Sequence, residues 1–84
     1  ACDPTARAFH EGRDAVTPVD KKPSLSDAIM NNNPYWGRYC LQAVRETGGT
    51  MISVSDADFI RTIRELGREE GLFTEPAGSV SVAL

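Results

Sequence analysis

Residues 69–84 have the sequence EEGLFTEPAGSVSVAL, and this stretch predicts more of the fold than any other part of the chain. Gly71 predicts the end of a helix, residues 72–74 a short buried strand, and Pro76 the first turn of another helix. The N-terminus of a helix directly after a buried strand can bind an anion or the polar edge of a cofactor, because its unpaired N–H groups point there. This geometry alone does not identify a ligand.

A strand and an amphipathic helix are predicted before this stretch. Residues 50–54 (TMISV) have the composition and length of a strand. Ser55, with Asp58 three residues later, predicts the capped start of the helix, and the acidic residues of its first turn are explained by the helix dipole. The apolar residues at helical spacing predict its buried face; they are Phe59, Ile60, Ile63, Leu66 and Gly67.

Two further helices are predicted earlier in the chain. Residues 24–30 begin with Ser24, with Asp27 three residues later, and predict a short capped helix. Asn33 and Pro34 predict the cap and first turn of a longer helix, which Gly48 and Gly49 end. The longer helix has one apolar stripe, for which a core position is favoured over a ligand pocket; its residues are Tyr35, Trp36, Tyr39, Cys40, Ala43 and Val44.

The N-terminal part of the chain has weaker signals. Residues 5–9 predict a short strand or the end of a helix, and His10 lies in a polar turn where solvent exposure is favoured over a catalytic role. Residues 16–23 contain two prolines and two lysines and predict an extended surface connection.

The order helix, helix, strand, helix, strand, helix predicts an α/β fold with parallel strands flanked by helices. A chain of 84 residues buries only about 60–65% of its unfolded surface. It starts with Ala1 rather than Met, and no capping residue follows the last apolar residues. We therefore expect residues 1–84 to be one partial domain, incomplete at both ends, that does not fold alone.

Charge and cysteine content exclude several classes of protein. A net charge of −3 argues against a surface for nucleic acid or anionic membranes, which requires clustered Lys and Arg. Cys2 and Cys40 lack the spacing of a zinc site or a disulfide scaffold, so we expect no metal site and a reducing, cytoplasmic setting.

Several segments resemble known motifs when they are taken in order. Residues 71–78 (GLFTEPAG) resemble G-(I/L/V)-F-x-E-P-(A/S)-(G/S), and residues 24–29 (SLSDAI) resemble T-(I/L)-A-(D/T)-(G/A)-(I/V). Both motifs occur in fold-type II pyridoxal-phosphate enzymes. Three other segments resemble motifs of one family among these enzymes, the threonine synthase family. Residues 8–12 are similar to R-A-F-x-x-G, residues 33–34 to (G)-N-P, and residues 41–49 to A-L-x-A-V-R-E-S-G-G. Taken together, these segments make the chain resemble a member of that family.

The resemblance implies a fold, a cofactor and two site residues. The fold would be part of the C-terminal half of a tryptophan synthase β-like three-layer domain that binds pyridoxal 5'-phosphate. Ala28 would lie against a face of the pyridoxal ring, where only a small side chain fits, and Glu75 would lie near the pyridine side. Ordinary alternatives are that Ala28 is a core alanine and that Glu75 caps a helix.

The resemblance further implies that the whole enzyme converts O-phospho-L-homoserine and water to L-threonine and phosphate, and that it is a homodimer. Asn32 replaces the family's usual glycine, which leaves substrate choice open. Lys21 and Lys22 lie in a proline-flanked loop unlike the family's Schiff-base lysine segment, so no catalytic residue is assigned and the segment alone should be inactive. Alternatives are a serine/threonine dehydratase-like lyase and a non-catalytic module that binds a protein through Tyr35, Trp36 and Tyr39.

Overall fold

The computed structural model describes residues 2–84. Their contacts divide the chain into two compact units, each formed from two separate stretches. The N-terminal unit consists of residues 2–21 and 31–53, and the C-terminal unit consists of residues 22–30 and 54–84.

Two α-helices that pack together form the N-terminal unit. They are α1 (Pro4–His10) and α2 (Gly37–Glu46), and their fully buried apolar side chains are Ala8 and Leu41. Gly37 is buried at the start of α2, where an added Cβ would lie 2.5 Å from Val16 Cγ2. This close approach explains why the first residue of α2 has no side chain.

Arg45, near the end of α2, connects this helix to the segment that follows α1. Its guanidinium group donates hydrogen bonds to Asp14 Oδ1 at 3.0 Å and to the Arg13 carbonyl oxygen at 2.7 Å. The same group lies 5.7 Å from the centre of the Phe9 ring, within range of a cation–π interaction. Arg45 therefore contributes to packing through contacts that the sequence pattern did not indicate.

The longest helical segment lies in the C-terminal unit. It is α3 (Asp56–Glu65), which continues as a π-helix, Leu66–Glu70, and buries Phe59 and Thr62. The predicted capping box is confirmed, because the Ser55 side chain accepts a hydrogen bond from the Asp58 N–H and the Asp58 side chain accepts one from the Ser55 N–H. The predicted stop is also confirmed, since Gly71 has a left-handed φ of 66°.

Two short 3-10 helices complete the C-terminal unit. Ala77–Ser79 packs against α3 and also against Asp27–Ile29. The predicted helix at residues 24–30 is thus shorter than expected, and it follows Ser26, so Ser24 does not cap it. The helix predicted from Pro76 onward is also only this one short turn before the chain continues to residue 84.

The predicted parallel strands are not formed anywhere in residues 2–84. Residues 50–54 and 72–74 lack regular secondary structure, and Ile52, Leu72 and Phe73 are exposed at 59%, 58% and 96%. A strand exists only when its backbone pairs with a neighbouring strand, and each of these segments lacks such a neighbour within the described residues. The prediction of an α/β sheet is therefore not met by the chain as described.

The prediction for α2 requires two corrections. The helix begins at Gly37 rather than at Asn33 and Pro34, and its N-cap, Trp36, makes no side-chain capping hydrogen bond. The predicted core stripe is mostly exposed, with Tyr35 at 91% and Trp36 at 75%. The physical reason is that Leu41, on another face, packs in the N-terminal unit instead.

Candidate functional site

The two candidate cofactor residues lie in segments that the structure brings together. Ala28 is the central residue of the 3-10 helix Asp27–Ile29, and Glu75 directly precedes Pro76, the N-cap of Ala77–Ser79. These two 3-10 helices pack against each other in the C-terminal unit. Ala28 and Glu75 are both exposed, which excludes a core position for Ala28 in this structure. Their contact with a cofactor stays a prediction.

Ser79 holds the turn next to Glu75. Its side chain is fully buried, and its hydroxyl donates to the Pro76 carbonyl oxygen at 2.7 Å. The Ser79 N–H donates to the Glu75 carbonyl oxygen at 3.2 Å, so the backbone at Glu75 is fixed from both sides of Pro76. Gly78 leaves room in this turn, because a Cβ there would lie 2.5 Å from Thr74 Oγ1.

Asp56, the first residue of α3, holds the segment that leads to Ala28. The Ser24 hydroxyl donates to Asp56 Oδ1 at 2.7 Å, and the Leu25 N–H donates to Asp56 Oδ2 at 2.9 Å. The hydrogen bond from Ser24, followed by that from Leu25, lowers the pKa of the Asp56 carboxyl group below its ordinary value. Sequence reasoning explained Asp56 by the helix dipole alone and missed this contact, which joins residues far apart in the chain.

Ser26 lies between Ser24 and Ala28 and is almost completely buried, at 1% exposure. Its N–H donates to Ser24 Oγ at 3.1 Å, while its own hydroxyl has no hydrogen-bond partner among residues 2–84. A buried hydroxyl without a partner costs about 1–3 kcal/mol. The segment before Ala28 is therefore polar at its buried side and depends on Ser24 for its internal hydrogen bonding.

The exposed side of this region fits one wall of a site for a flat aromatic cofactor. Ala28 presents only a methyl group, and the neighbouring Leu25 and Ile29 are 53% and 37% exposed. A ring can approach a backbone closely over a methyl group, and apolar neighbours favour its burial. Glu75 adds an exposed carboxylate at the adjoining turn. The side chains of Ala28, Leu25, Ile29 and Glu75 therefore fit contact with a cofactor ring. Lys22 belongs to the same unit, but it is exposed and lies outside any helix.

Two further features, a metal site and a membrane-spanning helix, are absent from the part of the chain that the structure describes. Within residues 2–84, no group of three or more His, Cys, Asp or Glu side chains is arranged to hold a metal ion. No helix in the same range has the length and apolar character needed to cross a membrane. His10 is exposed as predicted, and its Nε2 donates to the Met51 carbonyl oxygen at 2.8 Å.

Comparison with known families identifies the class to which the chain belongs. The model of the family described as "Pyridoxal-phosphate dependent enzyme" matches residues 1–84. The chain therefore belongs to the family of pyridoxal-phosphate dependent enzymes, and the cofactor implied by its motifs is confirmed at the level of the family.

Individual relatives give a narrower similarity. The chain is 38% identical over 80 residues to a protein named threonine synthase from Methanosarcina acetivorans, which covers 95% of this chain and 20% of the relative. Proteins of the same name from Methanocaldococcus jannaschii and Synechocystis sp. are 30% identical over 80 residues and 38% identical over 66 residues, covering 95% and 79% of this chain. The chain spans about a fifth of the length of these curated relatives.

Proposed function

We propose that the chain is a segment of a threonine synthase, a lyase of threonine biosynthesis. The whole enzyme would convert O-phospho-L-homoserine and water to L-threonine and phosphate. The observation that supports this most strongly is the 38% identity over 80 residues to the Methanosarcina acetivorans protein of that name. The packing of the Ala28 and Glu75 segments against each other, at an exposed surface, is consistent with a shared cofactor wall.

The residues of this chain bind and orient rather than react. Bound pyridoxal 5'-phosphate supplies an electron sink for deprotonation next to the substrate's amino group. Ala28 would contact one face of the ring and exclude water from it, and Glu75 would lie near the pyridine side. The lysine and the phosphate-binding loop that such chemistry requires are not assigned to any residue of this chain, so the segment alone is expected to be inactive.

The proposal extends to the fold of the whole enzyme. Residues 50–54 and 72–74 are apolar, largely exposed and without regular secondary structure in this chain. We propose that they pair as parallel strands with neighbours elsewhere in the enzyme, since buried parallel strands are rich in apolar residues such as Ile, Val and Leu. The enzyme is further proposed to be a homodimer, on the family resemblance alone, and to be cytoplasmic, in keeping with the free cysteines Cys2 and Cys40.

The reaction is tested on the whole enzyme that contains this segment. The purified protein is examined for the visible absorption of bound pyridoxal phosphate, and phosphate and threonine are then measured after addition of O-phospho-L-homoserine. Equal release of phosphate and formation of threonine supports the proposal. A bound cofactor without phosphate release, but with 2-oxo acid formed from serine or threonine, would replace it with the dehydratase-like alternative.

The Ala28 contact is tested by Ala28→Leu, with Ala43→Leu as the matched control. Both alanines are exposed and helical. Ala28 lies in the 3-10 helix Asp27–Ile29, whereas Ala43 lies in α2 of the N-terminal unit and is not part of the proposed cofactor wall. A leucine at residue 28 would occupy the space of the ring, so we expect the dissociation constant of the cofactor to rise at least roughly tenfold. Equal affinity in both variants would remove Ala28 from the cofactor wall.

A non-catalytic interaction module remains a second candidate because of one observation. Tyr35, Trp36 and Tyr39, at and just before the start of α2, are exposed at 91%, 75% and 61%, and the rings of Trp36 and Tyr39 lie 5.6 Å apart. Exposed aromatic clusters are enriched in protein interfaces. A whole protein that binds no pyridoxal phosphate would favour this candidate over the enzyme.

A further inference from the structure

The segment before Ala28 is held by one carboxylate at the start of a long helix. Asp56 is the first residue of α3, and each of its two carboxylate oxygens accepts a hydrogen bond from the segment. One donor is the Ser24 hydroxyl and the other is the Leu25 backbone N–H. The two contacts fix both the side chain and the main chain of the segment.

The helix α3 and the segment before Ala28 differ in how much regular secondary structure each has. This difference indicates which of the two holds the other in place. The helix α3 has 10 residues and begins with a complete capping box, whereas the segment contains only the three-residue 3-10 helix Asp27–Ile29. A single short turn is not stable by itself, because its few hydrogen bonds do not offset the loss of backbone entropy. The position of the segment therefore depends on its contact with α3 more than the reverse.

The contact extends directly to the candidate cofactor residue. Ser24 Oγ donates to Asp56 and also accepts the hydrogen bond of the Ser26 N–H, two residues before Ala28. A series of hydrogen bonds thus connects Asp56, through Ser24 and Ser26, to the 3-10 helix that contains Ala28. Loss of the hydrogen bond from Ser24 to Asp56 would free the Ser24 hydroxyl to rotate. The hydrogen bond that this hydroxyl accepts from the Ser26 N–H would then be weakened.

We propose that Asp56 is a positioning residue that acts through Ser24 and Leu25 to set the distance between Ala28 and the bound cofactor. This inference rests on the proposed function, in which Ala28 contacts the pyridoxal ring. Asp56 itself does not touch the cofactor in this scheme. Its effect on binding and on the spectrum of the cofactor is indirect.

The test uses the whole enzyme and a set of matched variants. Asp56→Asn keeps the size of the side chain, but its amide nitrogen cannot accept a hydrogen bond, so one of the two donors loses its partner. Ser24→Ala removes the hydroxyl donor, and Ser24→Thr retains one. Glu65→Gln is the control, because it removes a carboxylate charge from the last residue of α3 without touching Ser24, Leu25 or the capping box.

Three measurements are made on each variant. They are the dissociation constant of pyridoxal phosphate, the absorption and fluorescence of the bound cofactor, and amide hydrogen exchange of residues 24–30 in the cofactor-free enzyme. We expect Asp56→Asn and Ser24→Ala to weaken cofactor binding roughly 5- to 10-fold, to change the cofactor spectrum, and to speed exchange in residues 24–30. Ser24→Thr should restore the wild-type values.

The outcomes separate this inference from the proposed function. If the enzyme binds the cofactor and Asp56→Asn matches Glu65→Gln in affinity, spectrum and exchange, the positioning role is wrong and the enzyme assignment stands. Faster exchange in residues 24–30 with unchanged affinity and spectrum would also overturn it, because Asp56 would then serve only local stability. If the wild-type protein binds no pyridoxal phosphate, the proposed function fails, and the role of Asp56 toward the cofactor fails with it.

Discussion

The helices α2 and α3 have the same length, 10 residues each, but differ in how they begin and in which face they bury. Ser55 and Asp58 form a reciprocal capping box at the start of α3, whereas α2 begins after Trp36 without a side-chain capping bond. The start of α3 depends on residues three positions apart. The start of α2 depends on the fit of Gly37 against Val16, which lies far away in the sequence.

The buried faces also differ, although the prediction for α3 is only partly met, since Ile60 is 38% exposed and Thr62, outside the predicted face, is buried. Phe59, an apolar residue of the predicted face, is 1% exposed in α3. In α2 the residue with 1% exposure is Leu41, while Trp36 and Tyr39 of the predicted stripe are 75% and 61% exposed. An amphipathic pattern thus indicates that a helix has an apolar side, but the neighbouring elements decide which side is covered.

The largest expected effect tests the difference in burial. Replacing Phe59 with Ala should lower the free energy of unfolding by about 3–5 kcal/mol, because it removes a fully buried ring and leaves a cavity. Trp36→Ala removes an even larger side chain that is mostly exposed, and its effect should stay within about 1 kcal/mol. Urea denaturation of the whole enzyme with each substitution measures the two values, and the further stability comparisons use the same protein. A larger loss for Trp36→Ala would show that the aromatic stripe is buried in the whole protein.

A smaller effect is expected at the start of α2. Gly37→Ala places a Cβ 2.5 Å from Val16 Cγ2, and the resulting repacking should cost about 1–3 kcal/mol. Gly67→Ala is the control, because its nearest contact is the Leu72 carbonyl oxygen at 3.9 Å and alanine favours helix by about 1 kcal/mol. Thermal unfolding should therefore show opposite shifts for the two variants. Equal shifts would mean that Val16 does not restrict Gly37.

The capping box of α3 should contribute less than either packing contact. Ser55→Ala is expected to lower the free energy of unfolding by about 1 kcal/mol, since it removes the acceptor of the Asp58 N–H. Asn33→Ala changes the residue predicted to cap α2, which lies before the observed start of that helix at Gly37. Its effect should stay within about 0.5 kcal/mol. A comparable loss at Asn33 would restore the predicted start of α2.

These contrasts explain how much of the structure could be predicted from sequence. Features set by adjacent residues were found, including the capping box at Ser55 and the left-handed stop at Gly71. The strands predicted at residues 50–54 and 72–74 are not formed, because a strand requires a neighbouring strand with which its backbone can pair. The expectation that the chain does not fold alone stays a prediction.

In the candidate site as well, the sequence indicated local motifs but not the contacts between segments that are far apart in the chain. The motifs singled out Ala28 and Glu75 by resemblance, and the structure places their segments in contact, although their roles are untested. The hydrogen bonds from Ser24 and Leu25 to Asp56 were missed, because no periodicity relates residues 31 and 32 positions apart. The Ser-x-Ser segment before Ala28 and the acidic first turn of α3 were both visible, but nothing in the sequence paired them.

The smallest effect is expected from the pH dependence of the α3 cap. Hydrogen bonds from the Ser55 hydroxyl and the Ser55 N–H, with the nearby Arg61 guanidinium, hold the pKa of the Asp58 carboxyl group below its ordinary value of 3.8. Because the folded state favours the ionised form, Asp58 contributes stability that is fully present above pH 3.8 and is lost as the pH falls through the lower, folded pKa. Stability should thus decrease on acidification below about pH 4.

The contribution of Asp58 can be separated from that of other carboxyl groups by comparing the wild type with Asp58→Asn. Asp3 and Asp56 also have lowered pKa values, owing first to hydrogen bonds from Ser53 and Ser24, and both remain in the variant. Unfolding curves between neutral pH and pH 2 should therefore differ most at neutral pH and converge as Asp58 becomes protonated in the wild type. A constant difference across this range would mean that the cap does not depend on the ionised carboxylate, and the start of α3 would then resemble that of α2 in lacking a charged cap.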